Sequence, residues 1–243
     1  MGKKWIATGL AGVFSLFLGV ESVFAGVTEV DSNFDGKIDE WHHASSEGKV
    51  EKVEYDLNHN GAIDQVQFFK PDKKLERIEF DTDDDHTFDQ FEYYSEDRRL
   101  TRVEKDSNND GTIDWKEFFN SAGKLTRGEL DHNHDGTMDI WKYYSEQGVL
   151  ERMEHDSDHN GTVDRWDEFR QDKIKQIGFD TNGDNRPDQW QYMDAAEKLE
   201  HAGYDTNHDG KADLWEFFDD AGKITRVEKD RNFDGEPDIV QKP

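Results

Sequence analysis

Aromatic and branched apolar residues fall along this chain in short bursts, each closed by turn-forming residues and followed by a mixed apolar and charged run. Ile113, Trp115, Phe118 and Phe119 form one burst; Asn120-Ser121-Ala122-Gly123 follow, and Lys124-Leu125-Thr126-Arg127 then lead to Glu129. A later stretch repeats the order with Trp215, Phe217 and Phe218, then Asp219-Asp220-Ala221-Gly222, then Lys223-Ile224-Thr225-Arg226-Val227-Glu228. The aromatic half has high strand propensity, and Asn, Asp, Ser and Gly are the residues of tight turns. Each unit therefore predicts two short antiparallel strands joined by a hairpin turn.

The units recur with a fixed period. Asp31, Asp56, Asp81, Asp106, Asp131 and Asp156 lie 25 residues apart, Asp180 follows after 24, and Asp205 and Asp230 follow after 25 each, giving nine copies. The short copy loses its residue around Gln171-Asp172-Lys173, where a hairpin loop can absorb a deletion. Residues 26–243 thus read as a single all-β repeat domain of about 17 strands, with no linker and no second domain. With the aspartate as position one, Trp41, Val66, Phe91, Trp141, Trp166, Trp190, Trp215 and Val240 occupy position eleven. Phe68, Tyr93, Phe118, Tyr143, Tyr192 and Phe217 occupy position thirteen. These two positions share a face of the strand, where aromatic ladders are expected as structural core rather than as a sugar-stacking surface. Phe69, Tyr94, Phe119, Tyr144, Phe169 and Phe218 at position fourteen point to the other face. With both faces partly apolar, a curled meander or solenoid-like array is expected rather than a flat sheet. Lys52, Arg77, Arg102, Arg127, Arg152 and Arg226 recur near Glu54, Glu79, Glu104, Glu129, Glu154 and Glu228, which predicts interstrand ion pairs on a solvated face.

The segments between hairpins carry the candidate chemistry. Position three is Asn33, Asn58, Asp83, Asn108, Asn133, Asp158, Asn182, Asn207 or Asn232, and position five is Asp35, Asn60, Asp85, Asp110, Asp135, Asn160, Asp184, Asp209 or Asp234. Position nine is aspartate in every copy: Asp39, Asp64, Asp89, Asp114, Asp139, Asp164, Asp188, Asp213 and Asp238. Glycine stands at position six in seven copies, with His86 and Asn185 in the others. Calcium takes six to eight oxygen ligands at about 2.3–2.6 Å, and a tight loop can aim positions one, three, five and nine at one point while position seven offers its carbonyl. All candidate donors are oxygen, which disfavours zinc, and magnesium keeps more of its waters. An Asx turn explains one aspartate and one glycine; it does not explain four oxygen-bearing positions held in nine copies. The Asp81 and Asp180 loops, lacking the glycine, are the doubtful ones, and altered geometry is expected at the Asp81 loop. His59, His134, His159 and His208 at position four are expected to face solvent, away from the ion.

The pattern Asp-x-Asn-x-Asp-Gly-x-x-Asp, as in Asp106–Asp114, resembles the calcium loops of integrin-type propeller repeats and the EF-hand-like loops of dockerins and thrombospondin type 3 repeats. The resemblance implies that Asp106, Asn108, Asp110 and Asp114 are side-chain ligands and that Thr112 gives its carbonyl. It covers nine residues per copy. The glutamate that closes an EF-hand at position twelve is not maintained, and two helices with a turn do not fit the 16 residues between loops.

Bulk properties narrow the picture further. Apolar residues make up 33% and charged residues 36%, yet aromatics reach 12%, which is high for a disordered chain and implies thin packing under a charged surface. The net charge of −27 repels nucleic acid and anionic lipid and attracts cations. Cysteine is absent, which removes disulfides and thiolate chemistry. Lys3 and Lys4, an apolar run from Trp5 to Val20, and Ser22-Val23-Phe24-Ala25 read as a signal peptide cleaved after Ala25, with an uncleaved anchor as the alternative. No later segment is apolar enough to cross a membrane as a helix. The expectation is an exported protein of the periplasm, cell surface or medium, binding up to one calcium ion per loop as a structural scaffold. The alternative is a calcium-dependent module that holds a cell-surface protein or glycan. No nucleophile motif or carboxylate pair stands out from the repeat, so an enzyme is not expected.

Overall fold

The computed structural model describes residues 25–242; the signal-peptide assignment lies almost wholly outside them. Eighteen strands form one sheet. They are β1 (Gly26–Val30), β2 (Glu40–Ala44), β3 (Val50–Tyr55), β4 (Gln65–Phe69), β5 (Leu75–Phe80) and β6 (Gln90–Tyr94). There follow β7 (Leu100–Lys105), β8 (Trp115–Phe119), β9 (Leu125–Leu130), β10 (Ile140–Tyr144), β11 (Leu150–His155) and β12 (Arg165–Arg170). The last are β13 (Lys173–Phe179), β14 (Gln189–Met193), β15 (Leu199–Tyr204), β16 (Leu214–Phe218), β17 (Ile224–Lys229) and β18 (Ile239–Gln241).

Every pairing is antiparallel and joins sequence neighbours, from β1–β2 to β17–β18. Among the described residues no strand contacts any strand other than its sequence neighbours, so the sheet is an open, solenoid-like meander. The even-numbered strands run away from the Asp-rich loops, and the odd-numbered strands return to them. All loops therefore lie along one edge and all hairpin turns along the other.

The turns explain how the period is kept. Asn120 N–H donates to Lys124 O at 2.9 Å, Gly123 N–H donates to Asn120 O at 2.9 Å, and the register slips by one residue beyond Phe118. This is a three-to-four-residue hairpin loop ending in a left-handed residue and a bulge. In the short copy, Gln171 and Asp172 both take positive φ, at 52° and 61°, between the paired Arg170 and Lys173. Losing one residue has changed the turn to the two-residue type that needs left-handed backbone at both central positions.

The core is thin and comes mostly from one row, with Val66 buried on the other face. Val53, Ile78, Val103, Ile177 and Ala202, each three residues before a loop aspartate, are buried. Tyr55 and Phe80 lie two residues further on the same face. Around Ile78 the packing adds Leu75, Phe80, Phe69 and Tyr94. Burial pushes the Tyr55 hydroxyl up to about 12, and burial together with its bond to Glu92 pushes Tyr94 up as well.

The opposite face carries the ladders, with two differences from the sequence expectation. Position-thirteen aromatics of successive repeats do not touch directly, because each is paired in register with a basic residue of the return strand. Arg77 stands opposite both Phe68 and Tyr93, and Arg102 opposite both Tyr93 and Phe118. Guanidinium carbons sit 3.7 Å from the Phe68 centroid, 4.0 Å from Tyr93 and 3.8 Å from Phe217 for Arg77, Arg102 and Arg226. His201 fills the same slot, stacked at 4.3 Å on Tyr192 and 5.3 Å on Phe217. The basic–acidic pairs expected between strands lie instead within one strand. Lys52–Glu54, Arg77–Glu79, Arg102–Glu104, Arg127–Glu129, Arg152–Glu154 and Arg226–Glu228 are two residues apart and share a face. Each arginine has an aromatic ring as a cross-strand partner, Arg152 also facing Glu168, and its own glutamate reaches it along the strand.

Candidate metal centre

The loops share one backbone plan. Position six takes positive φ in all copies: between 89° and 95° at the glycines, 74° at His86 and 65° at Asn185. Its N–H donates to the position-one Oδ2 throughout, from 2.7 Å at Gly111 to 2.9 Å at Gly61, His86 showing the same 2.9 Å and Asn185 2.7 Å. The Asp81 loop keeps this position-six bond, but Asp84 N–H donates to Asp81 Oδ1 at 2.8 Å where the Asp106 loop uses Asp110 N–H. Histidine is forced into the glycine conformation because the Asp81 bond and the flanking strands fix both ends of the loop.

Within the loop, Asp110 N–H donates to Asp106 Oδ1 at 3.2 Å and to Asn108 Oδ1 at 3.1 Å, and Thr112 N–H donates to Asp110 Oδ1 at 2.8 Å. Position nine closes the loop from below. Asp114 accepts from Ser107 N–H at 3.0 Å and from Ser107 Oγ at 2.8 Å, while its own N–H donates to Lys105 O at 3.0 Å and its carbonyl accepts from Asp131 N–H at 2.9 Å. The last bond ties one loop to the next, and it recurs as Asp56 to Asp39, Asp81 to Asp64 and onward to Asp230 to Asp213.

Burial divides the expected ligand set. Asp56, Asp81, Asp106, Asp131, Asp156, Asp205 and Asp230 at position one are buried, as are Asp39, Asp64, Asp89, Asp114, Asp139, Asp188 and Asp213 at position nine. Asp31, Asp180 and Asp164 are half-buried, and Asp238, in the last loop, is exposed. Positions three and five, including Asn58, Asn60, Asn133, Asp135, Asn207, Asp209, Asn232 and Asp234, are exposed. The inner carboxylates thus sit under the loop, held by backbone N–H groups, while the outer oxygens are turned toward solvent.

Three carboxylates converge in two loops. Asp81, Asp83 and Asp89 offer oxygens within 4.8 Å of one another, and so do Asp156, Asp158 and Asp164. These are the two copies with aspartate at position three; elsewhere an amide fills that corner. Burial raises the Asp89 pKa, and the neighbouring Asp83 and Asp81 carboxylates add to the rise. Burial likewise raises Asp64, with Asp56 and Asp84 adding to it. Such carboxylates are stabilised by a cation placed among them, and an all-oxygen donor set on a tight loop fits a hard divalent ion.

Sequence reasoning missed what position four does. Its side chain leaves its own loop, as expected, but it reaches the loop before. Nδ1 of His134 lies 3.4 Å from Asp114 Oδ2, that of His159 3.5 Å from Asp139 Oδ2, and that of His59 3.9 Å from Asp39 Oδ2. Asn33 Nδ2 lies 3.2 Å from His59 Nε2, Asn182 Nδ2 3.1 Å from His208 Nδ1, and Asn58 donates to Asp84 at 2.6 Å. The only sequence signal was the recurrence of His, Asp or Asn at this position, which sits 26 residues from its target at position three. Position two was also missed: the hydroxyls of Thr82, Thr181 and Thr206 each donate to position nine at 2.7–2.8 Å.

Neither a known family nor a curated protein matches the chain. Among solved structures, the chain superposes on a GtfA/B complex bound to UDP and GlcNAc with a TM-score of 0.18 and 11% identity, over 53% of this chain and 22% of that one. It superposes on a TcdB2-TccC3-Cdc42 structure with a TM-score of 0.25 and 10% identity, over 83% and 12%. A porin-like protein from Bacteroides uniformis gives 0.24 and 9%, over 88% and 92%. The chain spans less than a quarter of the length of the first two. Superpositions this loose assign neither fold nor function.

Proposed function

We propose that this chain is an exported, non-catalytic scaffold whose loop edge binds a file of calcium ions, with up to one ion per loop. The observation that carries this reading is the row of buried aspartates at positions one and nine, joined loop to loop by backbone hydrogen bonds. In a chain of net charge −27, burial raises the pKa of Asp64 and Asp89, and the neighbouring Asp56 and Asp81 carboxylates add to it. Calcium converts that repulsion into attraction and ties consecutive hairpins, so binding and order are coupled. The Asp81 and Asp156 loops, with three converging carboxylates each, are the strongest sites. A role at a cell surface or in the periplasm, where calcium is near millimolar, needs only weak sites of about 10⁻⁴–10⁻³ M.

Thermal melting in EDTA and then in millimolar calcium tests this. Each site with a dissociation constant of about 10⁻⁴ M contributes about 1.4 kcal/mol at about 1 mM calcium. The melting temperature should rise by many degrees, with calcium retained in equilibrium dialysis. An unchanged melt with no retained calcium rejects the reading.

A further inference from the structure

We propose that the junction between the Asp31 and Asp56 loops is a mixed carboxylate–imidazole site for a divalent transition ion of the zinc type, with Asp39 Oδ2 and His59 as its ligands. The inference rests on the cation-binding reading of the loops and adds to it a second class of ion.

Asp39 is only 3% exposed. Its Oδ1 accepts from Ser32 N–H at 2.8 Å, but its Oδ2 is buried and has no hydrogen-bond partner. In the equivalent place Asp139 Oδ2 accepts from His132 N–H at 3.0 Å and Asn133 N–H at 3.3 Å. A buried carboxylate oxygen without a partner is costly, and a cation is the partner that satisfies it. Nδ1 of His59, with Asn33 Nδ2 beside it at 3.4 Å, lies 3.9 Å from that oxygen. That gap is too long for a hydrogen bond. It suits two ligands of one ion, because zinc–nitrogen and zinc–oxygen distances of about 2.0–2.2 Å bridge any separation up to about 4.2 Å.

The space for the ion is present. A cavity of about 190 Å³ lies at this junction, lined by Ser32, Asn33, Asp39, Asp56, His59 and Gln65 among others. It can hold an ion with the waters that complete its shell. The donor set then decides the ion: calcium and magnesium take oxygen, whereas imidazole favours zinc, copper and nickel. Position four is Asp84, Asn109, Gly183 or Phe233 at other junctions and offers no imidazole there. His134 and His159 repeat the pairing with Asp114 and Asp139. The oxygens they face already accept N–H groups, so these are the weaker members of the class.

The test titrates Zn²⁺ alone and Ca²⁺ alone, by calorimetry, into the full chain and into His59→Gln. Zinc affinity at the tightest site is expected to fall tenfold or more in the variant, while calcium affinity stays within about twofold. Zinc binding equally tight in His59→Gln overturns the site, and if calcium still binds, the calcium reading stands. Histidine-dependent zinc binding without calcium binding upholds the site and rejects the calcium reading. A second readout needs no substitution: Zn²⁺ should shift the ring ¹⁵N signals of His59 in the unaltered chain, and Ca²⁺ should not. Unshifted His59 signals at saturating zinc overturn the proposal.

Discussion

Arg77 lies over Phe68, its guanidinium carbon 3.7 Å from the ring centroid, while its Nε donates to Glu79 at 2.7 Å. One side chain therefore covers an aromatic ring on the neighbouring strand and neutralises a glutamate on its own. In a sheet with no second layer, that cover replaces the packing an opposing element would give. Arg77→Ala should cost about 1–2 kcal/mol, from the lost cation–π contact and the lost cover of its stem. Arg77→Lys should recover only part of this, because an ammonium cannot stack. Urea unfolding of both variants and of a Phe68→Leu pair measures the coupling; additivity would show that the stacking contributes nothing.

The two tiers of loop residues should separate in mutagenesis. Asp114→Ala leaves Ser107 N–H and Oγ without their acceptor and should cost about 1–3 kcal/mol even in EDTA. Asn108→Ala, at an exposed position, should leave the EDTA melt within about 0.5 kcal/mol. It should still weaken calcium binding at its loop. Melts with and without calcium decide between one shared role and two.

His86 holds a backbone conformation that its side chain disfavours, at φ 74°. Since the Asp81 bond to its N–H is already made, His86→Gly removes strain without changing the loop. The variant should gain roughly 0.5–1 kcal/mol, the relief exceeding glycine's extra unfolded-state entropy. A loss of stability would mean that the histidine ring makes a compensating contact.

The short turn offers the same logic, with two consecutive left-handed residues in place of one. Gln171 and Asp172 both sit in the left-handed region, where Asn-Gly is the preferred pair. Gln171→Asn with Asp172→Gly should raise the melting temperature by an amount equivalent to about 1 kcal/mol. No rise would show that the strain is relieved by neighbouring side chains.

Asp167 sets an acid limit. Burial pushes its pKa up, but hydrogen bonds from His155 and Arg165 and their charges outweigh this and hold it below the usual aspartate value. A depressed folded pKa means stability that is present above the unfolded value, about 3.9, and is lost as pH falls through the folded one. In EDTA, stability should therefore decline below about pH 4, and Asp167→Asn should flatten that slope while lowering neutral-pH stability by about 1–2 kcal/mol. An unchanged acid slope in the variant assigns the decline to other carboxylates.

The period, the hairpins and the placement of loops on one edge were legible in the sequence, because each is dictated locally by alternation and turn residues. The single-residue deletion near Gln171 was legible for the same reason. Three features were not. Alternation puts Arg77 and Glu79 on one face but does not say which partner each chooses; cross-strand register does. The Asp-Asn-Asp pattern treats positions one, three, five and nine as equals. Their unequal burial arises only when the backbone of Asp114 is tied to Lys105 and Asp131 at the end of the sheet. The reach of His59 to Asn33 depends on the left-handed backbone at position four, φ 60°, which throws the side chain backward across the repeat boundary.

That each strand touches only its sequence neighbours has a mechanical and an evolutionary corollary. Among the described residues nothing distant holds the ends of the sheet together, so tension applied at its two ends peels hairpins off one by one, each release being a similar small event rather than a single rupture. The same locality lets a gene gain or lose whole units by unequal recombination: an added copy meets ready-made neighbours on both sides and disturbs none of the contacts already in place.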